Sequence, residues 1–356
     1  MPGAKKLHQD SQNNSKASFI MGHSIQAVSL LVQGLCGYFA VPLAGEIHEG
    51  FQFNSKKKLT LLDKMFALLL NLNLKESFYF IADKYYCSGR FLKQLIASGN
   101  HIITMMKTNA VAYYPSIKVN KRGRPKKYGE KVKLFNLFDS PNVKFISAPM
   151  LNDSKIIIQY CVLELFWRPV GGLVKFILTL HPEKGKSIVM TTDLSMNPLE
   201  AINCYTFRFK IEVMFKQAIY QVGTFMYHFW IKVMAPTKRF SKEKILQFAP
   251  KSFKDKVKEK QNAYNLFIQL GFIAQGLMQY LSINCRQLVW NNFGTWFRTI
   301  RSNVPLSEKI VSLAMNKTYL EFLVDQQTDI IFKKFMRKRI DISKISGYKL
   351  TDGLAA

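Results

Sequence analysis

The chain has 356 residues, of which 51 are Lys or Arg and 23 are Asp or Glu, giving a formal charge of +28 at pH 7. Hydrophobic residues make up 48% and include 28 phenylalanines, which excludes a disordered basic tail and fits roughly two to three domains with a large core. So large a basic excess excludes a protein built to bind cations or basic partners. It favours a polyanion, nucleic acid before an anionic membrane surface.

The five cysteines (Cys36, Cys87, Cys161, Cys204 and Cys285) are odd in number, scattered and without a C-x-x-C pair. Neither a disulfide framework nor a zinc site is suggested, and a reducing cytosol is expected. The first 14 residues are polar and lack a signal-peptide core. The apolar stretch 27–45 is broken by Gln33, three glycines and Pro42, so no membrane span is expected.

In chain order, two apolar runs at 24–32 and 37–45 flank the turn Gln33-Gly34-Leu35 and predict a hairpin of long buried strands. Residues 55–71 predict a helix, with Lys56 to Lys58 in its first turn and Leu61, Leu62, Met65, Leu68 and Leu69 at helical spacing. A short buried strand follows at 78–83, ending in Asp83. Then come an amphipathic helix at 90–98, introduced by Gly89, and a strand at 101–106, together a β-α-β unit.

Between 110 and 193 the pattern changes to strand-sized runs at 132–137, 144–148, 156–166, 173–180 and 187–191, separated by Pro, Gly, Asn and Asp. An all-β insertion is predicted. From Asn197 onward the chain reads as helical nearly to its end, punctuated by Pro236, Pro250 and Pro305 and rich in Lys and Arg.

The segment 200–220 carries the most chemistry. On a continuous helix Tyr205, Arg208, Glu212 and Lys216 fall within a stripe of about 80°, beside an apolar face of Cys204, Phe207, Ile211, Met214, Phe215 and Ala218. A carboxylate flanked by Arg and Lys, with a Tyr a turn earlier, suits metal-assisted phosphodiester chemistry: the acid holds a cation and the bases hold phosphates. The plainer alternative is an exposed helix with Arg208–Glu212 and Glu212–Lys216 pairs. Asp83 stands at the carboxyl end of its strand, the edge where open α/β sheets place ligands, or else it is an ordinary helix cap or loop-facing acid. Together, a strand-end Asp and a helix Glu across a β-rich insertion are oxygen ligands of the kind a two-metal nuclease uses.

These residues resemble the DDE transposases of bacterial insertion sequences, in the large family named after insertion sequence four. That family carries a Tyr, two residues, an Arg, three residues, a Glu, six residues and a Lys on one helix; here Y-T-F-R-F-K-I-E gives Tyr205, Arg208 and Glu212. The lysine position is Ile219, a departure, and Lys216 one turn earlier is the candidate for its phosphate contact. The segment A-D-K-Y-Y around Asp83 resembles the family's second-aspartate strand. Residues 110–195 resemble its β insertion, accounting for the 212 − 83 = 129 residue gap. The segments M-P-G-A-K-K-L-H-Q-D-S, G-H-S, Y-H-F-W and F-R-T-I-R extend the likeness over nearly the whole chain.

The resemblance implies an α/β fold: a ribonuclease-H-like core interrupted by an all-β insertion and followed by a helical, basic C-terminal region. The corresponding divisions are 1–109 (first part of the core, with Asp83), 110–195 (insertion), 196–235 (core helix region with Glu212) and 236–356. It implies cut-and-paste transposition of double-stranded DNA in the bacterial cytoplasm, on the nucleoid, by a homodimer on its DNA and with no membrane partner. Two Mg²⁺ ions would be held by Asp83, Glu212 and a first aspartate, with Tyr205, Arg208 and Lys216 on phosphates. No suitable first aspartate precedes Asp83, because Asp10 lies in a polar stretch and Asp63 in a predicted helix. The expectation is that Met1 lies downstream of it, one metal ligand being absent. The alternative function is that of a catalytically inactive, truncated transposase that only binds DNA or poisons full-length subunits.

Basic segments add to the DNA reading. Residues 118–133 hold eight Lys or Arg against one acid, including Arg122, Arg124, Lys126 and Lys127 in R-G-R-P-K-K. This resembles an AT-hook for the minor groove, or it is a solvated hairpin tip in contact with phosphates. Residues 238–260 hold nine basic residues and three acids, and 332–339 reads F-K-K-F-M-R-K-R; each tracks the DNA backbone or is simply a charged linker or tail. Trp167 is a candidate base-stacking platform, with core packing the simpler role, as it is for Tyr227, Phe229 and Trp230. The six histidines show no metal-binding spacing.

Overall fold

The computed structural model of the chain describes residues 4–8, 17–34, 37–48, 51–52, 59–116, 126–228, 231, 244–246, 248–293, 304–326 and 330–331. It is a mixed α/β protein that divides into two compact units. One comprises residues 1–58 and 210–356, the other residues 59–209.

The first unit opens with a short hairpin of β1 (Lys5–His8) and β2 (Phe19–Gly22). The expected long hairpin follows as β3 (Ser24–Gly34) and β4 (Gly37–His48), antiparallel throughout with a bulge between Val28 and Ser29. Pro42 pairs at that bulge, where the missing amide hydrogen of a proline is tolerated. β5 (Phe51–Gln52) later pairs in parallel with a distant short strand.

The second unit begins with α1 (Leu61–Asn71). Thr60 closes a capping box: its hydroxyl accepts from the Asp63 amide at 3.2 Å and its amide donates to the Asp63 carboxylate at 3.0 Å. Two of the orphan amides of the first turn are thereby satisfied, which sets the start of the helix at Leu61; the earlier start expected at Ser55 falls partly outside the described residues. The β-α-β unit follows as β6 (Tyr79–Ala82), α2 (Gly89–Ala97) and β7 (His101–Met105), with β6 and β7 parallel. A Cβ on Gly89 would lie 2.5 Å from the Pro169 carbonyl oxygen, so glycine alone permits this close approach at the start of α2.

The strand-rich stretch contains β8 (Val111–Pro115), β9 (Tyr128–Lys133), β10 (Ile146–Pro149), β11 (Ile157–Trp167), β12 (Gly172–His181) and β13 (Gly185–Thr191). These strands share one sheet with the β-α-β unit, in the order β6-β7-β13-β12-β11-β8-β9, with β10 also on β11. Only β6 and β7 pair in parallel; the rest is antiparallel. The predicted strand at 132–137 is corrected: β9 ends at Lys133 and a 3-10 helix spans Leu134–Asp139. Leu134, Leu137 and Phe138 bury one side of it, a spacing of three and four that is helical and not alternating.

Asn197 caps α3 (Pro198–Thr206), accepting from the Leu199 amide at 2.9 Å, with Pro198 in the first turn. The single helix predicted over 200–220 is in fact broken. A 3-10 turn, Phe207–Phe209, separates α3 from α4 (Lys210–Gln217), and a π turn, Ala218–Val222, follows. The division between the two units falls at that 3-10 turn.

The first unit resumes with α4, β14 (Lys244–Ile245, the partner of β5), α5 (Lys251–Asn284), α6 (Arg286–Phe293) and α7 (Glu308–Gln326). Its core joins Ala27, Ala40 and Ile47 of the hairpin to Met214 and Ala218, Tyr227, and Tyr264, Ile268 and Phe272 of α5. The second unit centres on Ile103, Ile158, Ile177 and Val189 with Ala201 and Ile202 of α3. The described residues of the stretch 27–45, the apolar run weighed above as a span, belong to β3 and β4. α5 is long and apolar enough to cross a membrane by length and composition, with 33% of its apolar window buried.

Candidate functional site

Asp83 immediately follows β6 and is half-buried. One carboxylate oxygen accepts the Tyr85 amide at 2.8 Å, and its backbone carbonyl accepts from the Thr104 hydroxyl at 3.0 Å and the Tyr86 amide at 3.2 Å. Thr104 is fully buried on β7 opposite Ala82. The strand-end acid is therefore held by its own turn and by the neighbouring strand, a local arrangement known for short Asp turns.

Tyr205, in the last turn of α3, lies close enough to Asp83 to feel its charge. Burial raises the Tyr205 phenol above its ordinary value, and the Asp83 carboxylate adds to that; the Arg208 guanidinium opposes both through its charge and by hydrogen bonding to the phenol. Three residues separated by up to 125 positions (208 − 83) thus share one neighbourhood in the second unit. α3 brings them there because Ala201 and Ile202 bury against Ile103, Ile177 and Val189 of the sheet.

Glu212 and Lys216 are exposed on α4 of the first unit, four residues apart and so on one face. Between Tyr205 and Glu212 the backbone passes through the 3-10 turn, so the single 80° stripe of an unbroken helix does not apply. Ile219, at the departed lysine position, is exposed in the π turn.

Trp167 is 6% exposed at the end of β11, as the simpler role of core packing requires. Tyr227 is likewise buried, in the core of the first unit. Lys126 and Lys127 are exposed at the start of β9. Arg122 and Arg124, the segment 332–339, and Phe229 and Trp230 lie outside the described residues, as does part of 238–260.

The exposed Arg168 was not singled out from sequence. Its guanidinium lies 4.4 Å from the Tyr113 ring centre and 5.5 Å from that of Tyr128, both attractive cation–π distances. Lys127 approaches the same Tyr128 ring at 6.0 Å. The signal available in sequence was slight, an Arg-Pro after an apolar strand; strand pairing brings it to the basic hairpin. Among the described residues, no three or more His, Cys, Asp or Glu side chains gather as a metal site. Compared with models of known families and with curated proteins, the chain matches none.

Proposed function

We propose that this protein is a DDE-type transposase of a bacterial insertion sequence, with a ribonuclease-H-like core, acting on double-stranded DNA at the nucleoid. The observation that carries the reading is the gathering of Asp83, Tyr205 and Arg208 in one unit, three of the five residues that the sequence resemblance nominates. The charge of +28 supports a nucleic-acid partner independently. Among the described residues β6, which Asp83 immediately follows, is the terminal strand of its sheet and pairs with β7, the kind of sheet-edge position where open α/β sheets place ligands.

The carboxylates of Asp83 and Glu212 are hard oxygen donors of the kind Mg²⁺ takes together with water and phosphate. When bound, Mg²⁺ would neutralise phosphate charge and lower the pKa of an attacking water or 3′-hydroxyl. Arg208 would hold a phosphate by paired N–H donors and Tyr205 would orient the same group through its hydroxyl. Lys216, Lys126, Lys127 and Arg168 would add positive charge for phosphate contacts.

The test is nicking of transposon-end DNA in Mg²⁺ by the protein and by Asp83→Asn and Glu212→Ala, with binding measured alongside. Nicking by the wild type that either variant abolishes supports the assignment. Nicking that survives Glu212→Ala refutes the site, and binding without nicking leaves a DNA-binding protein that does not cut.

A further inference from the structure

α4 has eight residues, with a 3-10 turn before it and a π turn after it. Met214 is its one fully buried side chain, with Ile211 and Phe215 partly covered beside it. Helices this short are marginal by themselves, and apolar contact has no preferred direction. Glu212, two residues before Met214, projects about 200° around the helix from it and is exposed. Its aim depends on the rotation of α4.

A polar network supplies the direction that packing lacks. Gln275 of α5 has no exposed surface; its Nε2 donates to the Met214 carbonyl at 3.1 Å and to one Glu308 carboxylate oxygen at 3.4 Å. Gln279, one turn on, donates to the Ala40 carbonyl of β4 at 3.0 Å and to the other Glu308 oxygen at 2.9 Å. One carboxylate thus holds two amides, and the second hydrogen of each amide holds a backbone carbonyl. Glu308 is itself fixed. It lies in the first turn of α7, where the helix dipole favours an anion, and the Ser282 hydroxyl ties that end of α7 to α5 by donating to the Leu306 carbonyl at 2.6 Å.

Stability alone does not account for the network. Among the described residues Glu308 has no ion-pair partner, so a half-buried charge faces two neutral amides. Leucines of similar volume would fill the same space with no polar group to desolvate. What they would lose is a fixed distance and direction at a chosen carbonyl. We propose that Glu308 is a positioning residue for Glu212: through Gln275 it fixes the rotation and height of α4, and through Gln279 it ties the same frame to β4. The inference rests on the reading of Glu212 as a metal ligand. A slip of one residue along α4 would turn Glu212 by about 100°.

The experiment follows hydrogen exchange by mass spectrometry on the full chain, which needs no cleavage, beside nicking of transposon-end DNA in Mg²⁺. Gln275→Leu should speed exchange in α4 about tenfold and leave β4 around Ala40 as in the wild type, Gln279→Leu should do the reverse, and Glu308→Leu should speed both. The triple variant Gln275→Leu, Gln279→Leu, Glu308→Leu should melt no lower than the wild type while α4 still exchanges about tenfold faster. Glu308→Gln, which keeps an acceptor for the amides, should fall between the wild type and Glu308→Leu. Gln275→Leu and Glu308→Leu should cut about tenfold more slowly at saturating DNA, with DNA affinity unchanged. Unchanged exchange in α4, or an acceleration spread evenly over the whole first unit, overturns the proposal. So does a faster-exchanging α4 that cuts at the wild-type rate. A wild type that does not cut but shows the branched exchange pattern supports the clamp on α4 and refutes the reading of Glu212 instead.

Discussion

Asp193 follows β13 and accepts three hydrogen bonds: from the Tyr79 hydroxyl at 2.5 Å, the Ser195 amide at 2.8 Å and the Ser195 hydroxyl at 2.6 Å. Burial alone would raise its carboxyl, but the bonds from Ser195 and Tyr79 outweigh it and bring the group from 3.8 down to about 2. The same bond pushes the Tyr79 phenol up to about 12, with burial adding to it. A fall of that size is worth at most about 2.5 kcal/mol to the folded state. The site is largely open to water, so screening reduces the expected effect to about 1 kcal/mol. Because the folded value is the lower one, this stabilisation is fully present above pH 3.8 and is lost as pH falls towards 2. Asp193→Asn should therefore lower urea stability by about 1 kcal/mol at pH 7, and carboxyl-carbon NMR of the native protein should show Asp193 titrating near 2. Titration of Asp193 near 4, or no loss of stability at neutral pH, would refute the reasoning.

Three further outcomes are expected. A Cβ on Gly271 of α5 would lie 2.5 to 2.8 Å from the Thr224 side chain, so Gly271→Ala should cost about 1 to 3 kcal/mol; adding Thr224→Ala should recover part of this in a double-mutant cycle of thermal denaturation. Burial raises the Glu308 carboxyl, opposed by hydrogen bonds from Gln279 at 2.9 Å and Gln275 at 3.4 Å. The ionised form is the penalised one, so the wild type loses stability as pH rises through that raised value, and Glu308→Gln should gain on it as pH rises above 4.5 in parallel denaturation curves; a constant difference would contradict the burial argument. Lys126→Ala with Lys127→Ala should weaken DNA binding on all sequences and lower the slope of log affinity against log salt by about 2 in filter-binding or anisotropy titrations, whereas an unchanged slope would remove both lysines from the phosphate contact.

The β3–β4 hairpin and the β-α-β unit were legible in the sequence because both depend on local pattern: long apolar runs around a glycine turn, and a strand, helix and strand of standard length. The 3-10 helix at Leu134–Asp139 was not, since a five- or six-residue apolar run fits either period until its neighbours choose which side to bury. Asp83, Tyr205 and Arg208 could be nominated from spacing and resemblance. That they share one neighbourhood was decided by α3 packing on the central strands, a contact over about a hundred residues of separation. The break of the 200–220 helix at Phe207–Phe209 was not legible either, since the residue propensities there permit a continuous helix.

The charge of +28 followed from composition, and the β3–β4 hairpin and the β-α-β unit from local periodicity, because those quantities do not depend on which distant segments meet. Burial does depend on it. Only the folded chain put Trp167 in the core, set Arg168 over Tyr113 and Tyr128, and turned one face of α5 onto the hairpin while leaving Leu266, Leu270, Ile273, Leu277 and Tyr280 outside. An apolar residue in a sequence is equally ready to be core or interface, and which of the two it becomes is fixed by whether the rest of the chain covers it.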